Sequence, residues 1–506
     1  MVNKDLVYIV NAGNDQNKSA IANDYSFPAL APLSLGTWLK NRISDLEVMA
    51  RDGGVHEQIR IMKEIAKHKP CVVGISVLGT SYFNALQIAK VAKQIGSKVI
   101  FGNDHAAQSS KLILENRPDV DYIVGAEYGE LPLEMLVKKE RGKDIDLADI
   151  PSLTYRKGSD IKGFDYQNPA HRKILNLTNP LAGYFTLGDK KASLRNSLDV
   201  FPILDRNLYP ESHWRKYLGN YLKKFANLHE QEVTGVTTMN RARGCNRKDD
   251  AVCKHCDISG VRNGEIAMSS PEMFWEEIRK AHKQIGANSF YEACDSFSSF
   301  PRLMKDIAEA KPSNLGFKPD LFVYAQASDL ADHPERVQML KDMGVFRVNV
   351  GLESMSDRTL KHMKGTRDSV EKNYRALQLL KDAGIHVYGS FVLGSEAETP
   401  RTLAETRDRV IDLIERGYLC DAEAQPILPL YGNYQGRILM KYGLMRIDSK
   451  NPDWPLRIDD LSRTYVNRFS GVSYDECVKV ANEIRNVARK KGINFGSGAG
   501  EISKYS

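Results

Sequence analysis

The chain has 506 residues, a net charge of +7 and seven cysteines. Its length predicts more than one domain, three by ordinary domain size, and its 42 % hydrophobic content supports large cores. So few cysteines exclude a disulfide framework, no apolar stretch reaches membrane-spanning length, and dispersed lysines and arginines do not indicate nucleic acid.

The start, MVNKDLVYIV, shows no long apolar region behind a basic head. A soluble, cytoplasmic protein with reduced thiols is expected. Residues 1–140 alternate strands and helices. LVYIVNAG (6–13), residues 46–50, CVVGISVL (71–78), KVIFG (98–102) and DYIVG (121–125) read as strands. Helical periodicity runs through 29–43, 56–68, 83–96 and 131–139. Strands joined by crossover helices predict a doubly wound parallel sheet of α/β class, with ligands beyond the carboxyl ends of its strands. The polar loops there are Gly79–Thr80, GNDHAAQ (102–108) and GAEYGE (125–130).

Residues 141–232 lose this periodicity and are richer in Pro, Asn and charge; they read as a linker wrapping the next domain. Within it, 146–161 reads as a hairpin-like connector, 199–210 as an extended link and RKYLGNYLKKF (215–225) as the solvated face of a helix. Alternation returns at Val233. Strands are expected at 233–240, 290–294, 321–327, 346–352, 385–394 and 422–428, with helices near 271–285, 301–311, 334–343, 357–383 and 400–416. Six such units predict a partial parallel (β/α)6 barrel over 233–445, with its active site at the carboxyl ends of the strands. Residues 446–506 are expected to form a small helical cap or substrate region, with Trp454, Arg457 and Tyr465 equally explained as substrate contacts or as packing.

Cys245, Cys253 and Cys256 follow the first barrel strand with spacing C-x7-C-x2-C. Three thiolates can hold three irons of a 4Fe-4S cluster and leave the fourth open. Structural zinc usually takes four protein ligands, often as two C-x2-C pairs, and only one such pair is present here. By spacing alone, a cluster, zinc and unconnected thiols all remain open. Placement at the ligand-binding face of a barrel favours the cluster.

The loop RARGCN…CKHC, the run GVFRVNVGLESMSDRTLKHMKGT (344–366), the run GIHVYGSFVLGSEAETPRTLAET (384–406) and ILPLYGN (427–433) follow in order. With VVGISVLGTSYFNALQIAK and KVIFGNDHAA before them, they resemble the cobalamin-binding-domain radical S-adenosylmethionine enzymes over roughly residues 1–445. Four residues more separate Cys245 from Cys253 than in the family's commonest C-x3-C-x2-C spacing. SEAET (395–399) stands where Pro-Gly is usual before Glu-Thr, and Gly102-Asn103 stands for the usual Gly-Gly. The Asp-x-His-x-x-Gly signature is missing, so His105 lacks support as a cobalt ligand; as a loop histidine it hydrogen-bonds phosphate or backbone.

The resemblance implies a cluster on Cys245, Cys253 and Cys256, with S-adenosylmethionine chelating its open iron and yielding a 5′-deoxyadenosyl radical. It makes His255 a stacking partner for adenine. Asp295, Gln326, Ser328, Glu353, Ser354 and Ser390, at or near strand ends, are the candidates to hold S-adenosylmethionine. Capping is the alternative role for Asp295, and Cys294 reads as apolar packing. Cobalamin is expected near Gly102, Asn103, Asp104, His105, Gly125 and Glu127. The implied activity is methylation of an unactivated carbon of a small-molecule substrate, with electrons from a reductant such as flavodoxin or ferredoxin. A ring closure, rearrangement, elimination or oxidation on the same scaffold is the rival, with cobalamin bound or lost. A cobalamin carrier or sensor is the rival of another class.

Overall fold

The computed structural model describes residues 2–14, 25–125, 128–165, 168, 171, 197–248, 251–256, 266–430, 432–445 and 458–495. Seven strands form the first sheet: β1 (Asn3–Asn11), β2 (Glu47–Asp52), β3 (Pro70–Ser76), β4 (Lys98–Gly102), β5 (Tyr122–Val124), β6 (Leu153–Lys157) and β7 (Asp160–Gly163). Their order is β2-β1-β3-β4-β5-β6-β7. The first five pair in parallel, with Val7 of β1 opposite Val48 of β2 and Val72 of β3. Every residue of β3 is buried, as expected of a central strand covered on both faces. One face packs Val7, Ile9 and Val72 under Trp38 and Leu39. The other packs Tyr8, Val10 and Val73 under Ile61, Ala85 and Ala89. Helices on both faces make the sheet doubly wound.

This sheet does not stop near residue 140. The connector at 146–161 supplies β6 and β7, an antiparallel hairpin that pairs with β5 through Tyr122↔Tyr155 and Val124↔Leu153. Part of the expected linker therefore belongs to the first domain. The rest bridges the two sheets through the helix Glu211–Phe225. Its lysines face outward, as expected, but Tyr217, Tyr221 and Phe225 are buried.

The second sheet is wholly parallel, in the order β16-β15-β14-β13-β12-β11-β8. Its strands are β8 (Val236–Met239), β11 (Ser289–Glu292), β12 (Asp320–Ala325), β13 (Val345–Glu353), β14 (His386–Leu393), β15 (Asp421–Pro426) and β16 (Asn494–Phe495). A small ribbon, β9 (Ala242–Gly244) with β10 (Ile266–Met268), pairs antiparallel after β8. The six expected barrel strands all form. The seventh, β16, comes from the segment expected to be only a cap. The expected helix over 357–383 is two helices, Asp357–Lys364 and Val370–Asp382, parted at Gly365, whose φ is +80°.

The outer face of the barrel strands packs Val348, Val350, Leu352, Val387 and Phe391 against the helices. The inner face is aromatic and polar. Arg347 lies 4.1 Å from the Phe225 ring centroid and 4.6 Å from that of Phe322, and pairs with Asp421 at 2.6 Å. These groups fill the amino end of the barrel and leave its carboxyl end as the open mouth. No helix of the described residues is long and apolar enough to cross a membrane.

Candidate active site

The loop after β9 carries Cys245, Cys253 and Cys256 across the carboxyl end of the barrel. Three segments that follow barrel strands hold it there. Gly244 N donates to Asp295 Oδ2 beyond β11 at 3.0 Å, and Lys254 N to Met363 O at 2.9 Å. Tyr434 N donates to Lys254 O at 3.1 Å, and Asn433 Nδ2 to His255 O at 3.2 Å. Asp295 thus anchors the loop.

Burial pushes the Cys245 thiol up, and burial pushes Cys253 up to about 12 against the opposing pull of Arg247 and Lys364. A bound metal reverses this by taking thiolates directly. Among the described residues, no group of three His, Cys, Asp or Glu is drawn together into a single-ion site. Three thiols carried on one loop fit three corners of a four-iron cluster.

Arg247 is the hub that sequence patterning missed. It lies among the charged residues between Cys245 and Cys253, yet it is only 1 % exposed. Its guanidinium donates to Gln326 Oε1 at 2.5 Å, Asp368 Oδ2 at 2.5 Å, Lys364 O at 3.1 Å and Ser328 Oγ at 3.4 Å. An arginine has donors only, so it fixes which end of the Gln326 amide faces it. Gln326 Nε2 therefore points the other way, to Cys245 Sγ at 3.4 Å, and to Ser296 Oγ and Ser299 Oγ at 3.0 Å each. Gln326 and Ser328, expected to hold S-adenosylmethionine, brace the cysteine loop through these bonds.

Glu353 ends β13 with φ +58°, a left-handed backbone rarely adopted by a residue with a side chain. The β13–β14 register shifts between Gly351 and Glu353, so the bulge turns the carboxylate back over Gly351. A Cβ at Gly351 would lie 2.4 Å from Glu353 Oε1. Oε1 is 3.5 Å from His255 Nε2 and 3.9 Å from Lys364 Nζ. Burial pushes the carboxyl up, but His255, Lys364 and Arg247 outweigh it and hold it below the usual range. Lys364 is 3 % exposed and is the second buried cation that patterning missed. His255 Nδ1 is buried without a hydrogen-bond partner among the described residues. An ionised carboxylate beside an orphaned ring nitrogen fits a ligand that brings an ammonium and polar heterocycle edges, as S-adenosylmethionine does.

The remaining candidates divide. Ser390 sits on the half-buried inner face of β14, opposite Gly351. Ser354 turns away from the mouth, its hydroxyl 3.1 Å from Thr406 Oγ1. Cys294 is buried and bonds Gly244 O at 3.7 Å, a packing role.

At the carboxyl edge of the first sheet, Asn103 has φ +80° and, with Asp104, is exposed. Leu78 is 39 % exposed beside them. His105 Nε2 is buried and unpartnered among the described residues, its ring edge-on to Tyr82; burial pushes it down to about 4 and keeps it neutral. An exposed apolar side chain next to an orphaned acceptor fits an apolar plate with polar substituents, such as a corrin. Gly125 packs against Phe164: a Cβ there would meet the Phe164 ring at 2.9 Å. Glu127, Trp454 and Arg457 lie outside the described residues.

The two ligand edges adjoin. Arg243, two residues before Cys245, places its guanidinium 4.6 Å from the Tyr128 ring centroid beyond β5. Thr238 Oγ1 donates to Pro28 O at 2.7 Å, and Phe27 seats 5.3 Å from Tyr291 and 5.9 Å from Phe322 inside the barrel.

The B12 binding domain profile matches residues 30–137, and the Radical SAM superfamily profile matches residues 239–410. An uncharacterized methyltransferase of Pyrococcus horikoshii is 24 % identical over 350 residues, covering 68 % of this chain and 65 % of that protein. The anaerobic magnesium-protoporphyrin IX monomethyl ester cyclase of Rubrivivax gelatinosus is 23 % identical over 358 residues, 69 % of this chain and 55 % of the cyclase. The chain thus spans between about half and two thirds of the length of these curated relatives. Among solved structures, the radical S-adenosylmethionine methyltransferase TsrM from Kitasatospora setae, with cobalamin and a 4Fe-4S cluster bound, superposes with a TM-score of 0.62 at 16 % identity. That superposition covers 87 % of this chain and 78 % of TsrM.

Proposed function

We propose that this chain, a cobalamin-dependent radical S-adenosylmethionine enzyme, is a methyltransferase acting on an unactivated carbon of a small-molecule substrate. The observation that carries this reading is the meeting of the two ligand edges at Arg243–Tyr128 and Thr238–Pro28, which gives both cofactors access to one substrate. When bound, the cluster with S-adenosylmethionine supplies a hydrogen-abstracting 5′-deoxyadenosyl radical, and cobalamin supplies a methyl carrier. The protein contributes position and exclusion of water. Cys245, Cys253 and Cys256 hold the cluster, and Arg247 and Gln326 fix its loop. Glu353, kept ionised by its cationic neighbours, receives the S-adenosylmethionine ammonium, and His255 lies against the adenine. Leu78, Gly102, Asn103, Asp104 and His105 would form the cobalamin edge, with His105 Nε2, buried and unpartnered among the described residues, as a hydrogen-bonding group for it.

The similarity to a ring-forming ester cyclase favours a second reading, in which the same cofactors close a ring without methyl transfer. Product counting separates the two. Anaerobic turnover should give one S-adenosylhomocysteine for each 5′-deoxyadenosine and a product heavier by one methylene. 5′-Deoxyadenosine without S-adenosylhomocysteine would replace methylation by the second reading.

A further inference from the structure

The mouth of the barrel faces the first domain, yet the cysteine loop has an outer side as well. There Val252 and Lys254, which flank Cys253, line a cleft of 460 Å³ with Arg358, Lys361 and His362. We propose that this cleft is the docking face for a small acidic one-electron carrier protein that reduces the cluster. The inference rests on the radical S-adenosylmethionine reading above and extends it to a partner surface.

Three observations carry it. The first is charge. Among the described residues, the cleft lining brings together two lysines, an arginine and a histidine, and no acidic residue. Two carboxylates adjoin the cleft, one of them paired with its histidine, so the excess positive charge is that of Lys254, Arg358 and Lys361. Glu396 Oε2 is bonded to His362 Nε2 at 3.0 Å, and Asp357 Oδ1 accepts from Val370 N at 2.8 Å. Arg358 and Lys361 are exposed and three residues apart on one helix, a like-charge spacing that costs helix stability. Such a cluster steers an acidic partner and raises its encounter rate.

The second is proximity. Lys254 is covalently next to Cys253, so the cleft floor and a cluster ligand are the same piece of backbone. The third is rigidity. Lys254 N and O are both bonded, to Met363 O and Tyr434 N, and its ammonium lies 5.0 Å from the Tyr434 ring centroid and 3.4 Å from His362 Nδ1. A docked carrier meets a fixed surface. In the step itself the reduced carrier loses one electron and the cluster gains one; no bond forms or breaks.

The test is anaerobic stopped-flow reduction of the cluster-loaded protein by reduced flavodoxin, with dithionite as the small-molecule control. An Arg358→Glu/Lys361→Glu variant should lower the second-order rate constant with flavodoxin by about tenfold or more at low ionic strength. The neutral Arg358→Gln/Lys361→Gln variant should give a smaller loss, and both deficits should shrink as salt is raised. Iron content and dithionite-driven formation of 5′-deoxyadenosine should match wild type. Wild-type flavodoxin kinetics in the charge-reversed variant would overturn the docking face. Absence of dithionite-driven cleavage in the wild-type protein would instead overturn the enzymatic reading beneath it.

Discussion

Gln326→Glu isolates what the side-chain amide does for the cluster. Glutamate keeps the oxygen that accepts from Arg247 Nε at 2.5 Å, so the loop stays braced. It replaces the Nε2–H aimed at Cys245 Sγ, 3.4 Å away, by a second acceptor. A donor stabilises the more negative, reduced cluster and raises its potential; an acceptor does the reverse. A net hydrogen bond is worth about 1 kcal/mol. One electron carries about 59 mV per tenfold change in equilibrium constant, so the lost bond alone shifts the midpoint by about 40 mV. The added negative charge, partly offset by the buried Arg247, increases the shift to an order of 100 mV. The assay is a potentiometric titration followed by electron paramagnetic resonance, with iron and labile sulfide measured on the same samples. The expected outcome is a midpoint more negative by about 40 to 100 mV at unchanged iron content. An unchanged or more positive midpoint would refute the assignment of Gln326 as a donor to the cluster.

Replacing Cys245, Cys253 or Cys256 by Ala should remove most iron and sulfide and abolish S-adenosylmethionine cleavage; stoichiometric zinc without labile sulfide in anaerobic wild-type protein would contradict this. Glu353→Gln should weaken S-adenosylmethionine binding tenfold to a hundredfold, for roughly 1.5–3 kcal/mol of lost charge-assisted bonding, with iron unchanged. Gly351→Ala should weaken it similarly, because the new Cβ falls 2.4 Å from Glu353 Oε1; wild-type affinity by calorimetry in both variants would remove Glu353 from the site. Burial pushes His213 down to about 3, aided by His56, Arg51 and Lys216, while its Nε2 accepts from Asp52 N at 3.4 Å. Its folded value lies below its unfolded one, so this stabilisation is complete above about pH 6.5 and falls by up to about 1.4 kcal/mol per pH unit on acidification toward 3. Thermal melts between pH 7.5 and 4.5 should decline less steeply in His213→Gln, and parallel slopes would show that His213 does not set the acid sensitivity.

What was legible in the sequence followed local periodicity. Buried parallel strands are continuous apolar runs, and all six barrel strands and the five parallel strands of the first sheet were recovered from that pattern. The cysteine trio was legible because ligand chemistry needs particular residues at short spacing. The hairpin at β6–β7 was visible as a hairpin, but nothing local said that Tyr155 would pair with Tyr122. β16 has two residues, too short for any periodic signal. Arg247 and Lys364 looked like surface charge, since burial of a cation depends on partners that local patterning does not reveal: Asp368 and Gln326, both far along the chain, for Arg247, and Glu353 together with the nearby Asp368 for Lys364. The turn of the Ser354 hydroxyl toward Thr406 was not legible either, because it follows the bulge at Glu353.

The placement of β16 has a consequence for how the molecule is made. Asn494 and Phe495 lie beside Asp421 and Ala422, on the rim strand of the barrel sheet. During synthesis β15 emerges more than seventy residues earlier and waits with that flank bare. A naked strand flank is a template for pairing with another nascent chain. Assembly of the barrel is therefore finished by its last-made piece. Proteins cut short before residue 494 should collect as insoluble material even though every residue of the cysteine loop has been translated.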